Sequence, residues 1–182
     1  MAEGGDRRGA HLILVGLPGA GKSTLGSLVA QRLGSPFVDL DTEIERHEGR
    51  SVADIFSRDG EGRFRQLEHL LTEQVALRSN LVLSPGGGWV TQPMLPALLR
   101  PPGRIIHLDV TPATALARLG SAAGARPLLR SADPGAILEQ LHSDRAPAYG
   151  IADAVLDTET LDLQELVDQL AALAVAWGVG VG

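Results

Sequence analysis

The sequence contains no cysteine, which excludes disulfides and thiolate metal sites. Aromatic residues are scarce at 3%, leaving little for the base-stacking platforms of single-strand nucleic-acid binders. No apolar run approaches the roughly 18 residues that a membrane span needs. The opening stretch, Met1 to Gly9, lacks the apolar segment of a secretory signal. Positive charge is also in short supply, since the net charge is −6, which argues against nucleic acid as a partner. Lysine is almost missing. Of the 16 basic residues 15 are arginine, and the one lysine, Lys22, stands in a glycine-rich loop. These absences lead to an expected cytoplasmic protein that is monomeric and binds neither membrane nor nucleic acid.

The 182 residues, 44% of them hydrophobic, suit one compact domain with a buried core. The expected organisation is a flexible tail over 1–10, a single domain over 11–176 and a C-terminal tail over 177–182. Within the domain, short apolar runs alternate with helical patterns. Strands are expected at 11–15, 37–40, 81–83, 104–108 and 154–156. Between them lie helices marked by Leu25, Leu28, Val29 and Leu33, by a start near Thr42, and by Ser51 with Asp54 as a capping pair. Phe64, Leu67, Leu71 and Val75 mark another helix, Thr111-Pro112 opens one more, and a further helix covers 134–148. Leu163, Leu166, Val167, Leu170 and Leu173 define the apolar core face of a closing helix. Residues 120–133, rich in Gly, Ala, Ser and Arg, have no period and read as a mobile lid. Such alternation predicts an α/β fold: three layers, α/β/α, around a central five-stranded parallel sheet.

Gly16-Leu17-Pro18-Gly19-Ala20-Gly21-Lys22-Ser23 matches G-x-x-x-x-G-K-[ST] and sits between a strand and a helix, as a phosphate-binding loop of the P-loop NTPase type must. Glycines let successive backbone N–H groups converge on phosphate oxygens, and the helix N-terminus adds its dipole. Gly19, Ala20, Gly21 and Thr24 are thus expected at the phosphates of ATP, Lys22 at the β- and γ-phosphates, and Ser23 on Mg2+. With its single lysine already used, the chain cannot carry the N-K-x-D motif of guanine-nucleotide switches. Two strands end in an acid, at Asp39 and at Asp109, and spacing alone does not choose between them as the magnesium partner.

Four clusters fall where α/β proteins bind ligands, beyond the ends of the strands. They are Asp39-Leu40-Asp41, Arg65 with Glu68 on one helix face, the triplet Gly86-Gly87-Gly88, and Arg126 with Arg145. Together they offer a base, a carboxylate clamp, room for close backbone approach, and charge for a phosphoryl group in transfer. Each also has a plainer reading. Asp41 can cap the helix that follows, Arg65–Glu68 can be a surface ion pair, and the triplet can be a strand-exit turn. Arg130 reads as a solubilising loop charge, and the five histidines show no ligand spacing.

These motifs resemble, in order, those of the shikimate kinase family. The matching stretches are Gly16–Thr24, Phe37–Asp41, Gly49–Phe56, Gly60-Glu61 with Phe64–Glu68, Gly86–Gly88, Arg126–Leu129 and Arg145–Tyr149. The resemblance implies transfer of the ATP γ-phosphate to the 3-hydroxyl of shikimate, with Mg2+. It places Lys22, Asp41 and Arg126 in catalysis and Ser23 and Asp39 near the metal. Arg118 would lie beside adenine, and Asp41, Arg65, Glu68, Gly86, Gly87, Gly88 and Arg145 around shikimate. Trp89 and the lack of an arginine after Asp157-Thr158 depart from the family pattern. A gluconate-type sugar-acid kinase and a non-catalytic ligand-sensing module are the rival readings.

Overall fold

The computed structural model describes residues 10–180; residues 1–9 of the expected N-terminal tail and the last two residues lie outside the described residues, while Ala10, expected in that tail, is buried. Five strands form one parallel sheet: β1 (Leu12–Val15), β2 (Phe37–Asp39), β3 (Val82–Ser84), β4 (Arg104–Asp109) and β5 (Ala154–Asp157). Their order is β2-β3-β1-β4-β5, with Leu12 opposite both Val82 and Arg104. All four residues of β1 are buried, because a central parallel strand is covered on both faces.

Among the described residues seven α-helices complete the layers: α1 (Lys22–Leu33), α2 (Leu40–Glu48), α3 (Val52–Ala76), α4 (Met94–Leu99), α5 (Pro112–Leu119), α6 (Pro134–Tyr149) and α7 (Leu163–Ala176). The alternating side chains of β1 separate two cores. Leu12 and Leu14 join Leu25, Val29, Leu166 and Leu170 on one side, while Ile13 and Val15 join Ile44, Leu67, Leu71 and Trp89 on the other. Each buried leucine or isoleucine of this kind contributes about 1.5–3 kcal/mol through lost contact with water. Of the expected C-terminal tail, Val179 is fully buried in the first core. Among the described residues no helix is long and apolar enough to cross a membrane.

Four local features differ from the sequence expectation. The second strand stops at Asp39, and Leu40 is already helical, because the Asp39 carboxylate caps α2 by accepting from the Thr42 N–H at 3.2 Å. The two helices expected between 51 and 76 run into one another as α3, with Ser51 as cap and a break at Gly60, whose φ of 78° suits glycine. The short α4 and the 3-10 turn Trp89–Thr91 have no clear sequence pattern, since Pro93 and Pro96 interrupt any helical period. Residues 120–133 contain two short 3-10 turns, Gly120–Ala125 and Pro127–Leu129, with Arg126 between them.

Candidate active site

The loop between β1 and α1 turns on Gly19 and Gly21, with φ of 88° and 89°. Gly19 is required twice over, because a Cβ there would also stand 2.4 Å from the Ala115 carbonyl oxygen. Lys22 folds back over the loop, and its ammonium donates to the carbonyls of Gly16 at 3.0 Å and Leu17 at 2.9 Å. Burial, and then the nearby Arg126, lower the Lys22 pKa to about 8. The Ser23 hydroxyl donates to Asp39 at 2.5 Å. The hydroxyl and the carboxylate are hard oxygens of the kind that Mg2+ takes directly or through water, with room for phosphate oxygens and water beside them. Asp109 is not among the residues lining the two cavities over the site, and its main-chain carbonyl accepts from the hydroxyl of Thr158.

Two cavities open over the carboxyl ends of the strands. The first, about 760 Å³, is lined by 18–25, Asp39, Arg118, Arg126, Leu161 and Leu163. The second, about 500 Å³, is lined by Ser51, Val52, Phe56, Arg65, the triplet Gly86–Gly88, Arg130 and Arg145. Pro18, Asp41, Thr42, Gly86, Gly87 and Arg126 line both. The junction between the cavities therefore carries one carboxylate and one guanidinium.

Charged groups converge on the glycine triplet. A Cβ on Gly86 would lie 2.9 Å from Asp41 Oδ1 and 3.1 Å from Glu68 Oε1; on Gly87, 2.6 Å from Arg145 Nη1; on Gly88, 2.6 Å from Arg65 Nη2. Arg145 is 5% exposed, and its Nη1 has no hydrogen-bond partner among the described residues. Asp41 Oδ1 is equally unpartnered and buried. Burial, then the charges of Asp39 and Glu68, raise the Asp41 pKa to about 6 despite Lys22 and Arg126. Arg65 is held on two flanks: its Nε and Nη2 donate to Glu61, and its Nη1 donates to the fully buried Glu68 at 2.8 Å.

A family model described as shikimate kinase matches residues 18–174. The chain belongs to the shikimate kinase family. It is 44% identical over 154 residues to a shikimate kinase of Synechococcus sp. (strain CC9605), covering 84% of this chain and 77% of the relative. Its fold superposes on the shikimate kinase of Acinetobacter baumannii in complex with shikimate with a TM-score of 0.86 at 32% identity, covering 92% and 94% of the two chains. A gluconokinase of Sinorhizobium meliloti, covered to 95% with 94% of this chain, has a TM-score of 0.62 and 17% identity, which shows a shared fold alone.

Every position named from the shikimate kinase motifs faces one of the two cavities except Glu68, which stands behind Arg65. Some sequence expectations need correction. The cap of α2 is Asp39, so Asp41 is free of that task and looks into the cavities. Arg130 lines the second cavity. Leu163, expected in the core face of α7, is the first residue of that helix, is 53% exposed and lines the first cavity. Arg118 is fixed by donating to the Thr158 hydroxyl at 2.9 Å and carbonyl at 2.6 Å. Trp89 points neither into the site nor outward; it is fully buried, and its indole N–H donates to Thr72 Oγ1 at 3.0 Å. Gln92, which no motif picks out, donates to Glu68 Oε2 at 2.6 Å.

Proposed function

We propose that this single-domain kinase transfers the γ-phosphate of ATP to the 3-hydroxyl of shikimate, giving shikimate 3-phosphate and ADP. The observation that carries the reading is the second cavity. It holds a buried guanidinium with an unpartnered Nη1, Arg145, and a buried unpartnered carboxylate oxygen, that of Asp41, across one glycine triplet. A ligand that satisfies both presents a carboxylate to Arg145 and Arg65 and a hydroxyl to Asp41. A hydroxylated ring acid such as shikimate has both groups.

Transfer needs positioning and charge neutralisation more than covalent help from the protein. Loop N–H groups over Gly19–Thr24 receive the phosphates, with Lys22 at the β- and γ-oxygens. Ser23 directly, and Asp39 through water, would hold Mg2+, whose charge offsets that of the β- and γ-phosphates when it is bound. Asp41 accepts a hydrogen bond from the 3-hydroxyl and takes its proton as the oxygen bonds to phosphorus. A pKa near 6 leaves Asp41 ionised at neutral pH yet basic enough for that task. The bond between the γ-phosphorus and the β–γ bridging oxygen breaks, and ADP leaves. Arg126, lining both cavities on a lid over 120–133, follows the charge of the phosphoryl group. Arg118 packs beside adenine.

A coupled assay of ADP release with shikimate, gluconate and nucleoside monophosphates tests the reading. Shikimate should give the highest kcat/KM by orders of magnitude. Comparable turnover with gluconate would overturn it.

A further inference from the structure

Gln92 follows the 3-10 turn Trp89–Thr91 and plays no part in the reaction as written above. Its side-chain amide donates to Glu68 Oε2, the same oxygen that accepts from Arg65 Nη1. Glu68 is fully buried, and burial raises its pKa although Arg65 and Gln92 both act to lower it. A carboxylate taken out of water stays ionised only as far as its donors replace the lost hydration. Arg65 and Gln92 supply those donors, both on Oε2, while Oε1 has no hydrogen-bond partner among the described residues.

The turn carrying Gln92 is itself fastened to α3. The indole of Trp89 donates to Thr72 Oγ1, and that hydroxyl donates to the Glu68 carbonyl at 2.7 Å. The Gln92 N–H is bonded to the Trp89 carbonyl at 3.2 Å. Residues 89–92 thus hold the Glu68 turn of the helix at two points, once on its main chain and once on its carboxylate.

We propose that Gln92 is a positioning residue for the acceptor: its amide anchors the Glu68 carboxylate, which in turn aims the Arg65 guanidinium at the acceptor's own carboxylate. The inference rests on the function proposed above. The charged groups facing Glu68 are Arg65 on its own helix, Arg145 from α6 and Asp41 from α2. Gln92 is the neutral member of that set, so removing its donor changes no net charge. What it changes is the balance that keeps Glu68 ionised.

Gln92→Met retains length and bulk and removes the donor. Its expected effect is a rise of about tenfold in KM for shikimate, with KM for ATP and kcat nearly unchanged. The acid limb of kcat/KM for shikimate should also move to higher pH, because loss of the donor raises the Glu68 pKa and its protonation begins sooner as pH falls. Trp89→Phe serves as comparator, since it removes a hydrogen bond from the same turn without touching a carboxylate. It should lower the melting temperature and leave the acid limb in place. An unchanged shikimate KM and an unmoved limb in Gln92→Met would overturn the proposal, as would an equal rise in both KM values. Failure of the unaltered enzyme to use shikimate would instead overturn the proposed function, and this inference with it.

Discussion

Arg145 Nη1 stands 2.6 Å from the point that a Cβ on Gly87 would occupy. The glycine is thus the socket of a buried guanidinium, and its neighbours repeat the arrangement, Gly86 for Asp41 and Glu68 and Gly88 for Arg65. Three consecutive residues without side chains let four charged groups from three helices meet over the end of one strand.

Gly87→Ala should therefore act on the acceptor and not on ATP. The obstructed atom is the far end of a flexible side chain, so the fold survives while Arg145 is displaced. Steady-state kinetics should show KM for shikimate raised about tenfold or more, with KM for ATP unchanged. A shift in the ATP value alone would contradict the socket assignment.

Lys22→Met should remove activity by about a thousandfold or more while the protein stays folded, since a buried charge is lost along with a phosphate ligand. Lys22→Arg should fare little better. The planar guanidinium cannot replace a point charge whose two bonds to the Gly16 and Leu17 carbonyls bend it across the loop. Single-turnover rates and a thermal melt of each variant decide this.

The two acids of Asp39-Leu40-Asp41 should separate in their effects. Residues two apart on a continuing strand share a face. Here the helix begins at Leu40, which leaves Asp39 beside Ser23 and turns Asp41 into the junction of the cavities. Asp39→Asn should raise the magnesium needed for half-maximal rate and leave shikimate affinity alone. Asp41→Asn should lower kcat about a hundredfold or more. The ionised Asp41 also costs stability, because its pKa is raised on folding from 3.8 to about 6. That cost is full above pH 6 and vanishes below the unfolded value, as the folded state binds the proton first. Asp41→Asn should thus raise stability by about 3 kcal/mol at pH 8 and by little at pH 3.5. Melting curves at the two pH values check the sign.

Much of this was legible in the sequence, for specific reasons. The phosphate loop needs a fixed spacing of glycines and a lysine, and β1 is a continuous apolar run, so both announce themselves. The cap at Asp39 was hidden because Asp39 and Asp41 are both good capping residues, and only the backbone tells which one is used. The link from Trp89 through Thr72 to Glu68, and the reach of Gln92, join residues 17 and 24 positions apart. No periodicity reports which polar side chain of a short irregular turn faces inward. Leu163 was misplaced because helical period gives the face of a helix but not whether its first residue is covered.

The segment 120–133 should close over both ligands together. It is mostly exposed, anchored by the buried Ala123 and Leu129, and it carries Arg126 at the junction of the cavities. Amide exchange there should be fast in the free enzyme and slow with a non-hydrolysable ATP analogue plus shikimate. Arg126→Ala should lower kcat far more than it weakens shikimate binding. Equal protection with and without ligands would remove the lid from the account.

The proposed function requires the cavity beside the phosphate loop to orient a hydroxy acid so that its 3-hydroxyl meets Asp41. Proton and phosphorus NMR of shikimate incubated with ATP, magnesium and the enzyme tests it most directly. The expected product is a single phosphate monoester whose phosphorus couples to the ring proton at carbon 3. Coupling to the proton at carbon 4 or 5, or ATP hydrolysis with shikimate untouched, would contradict it.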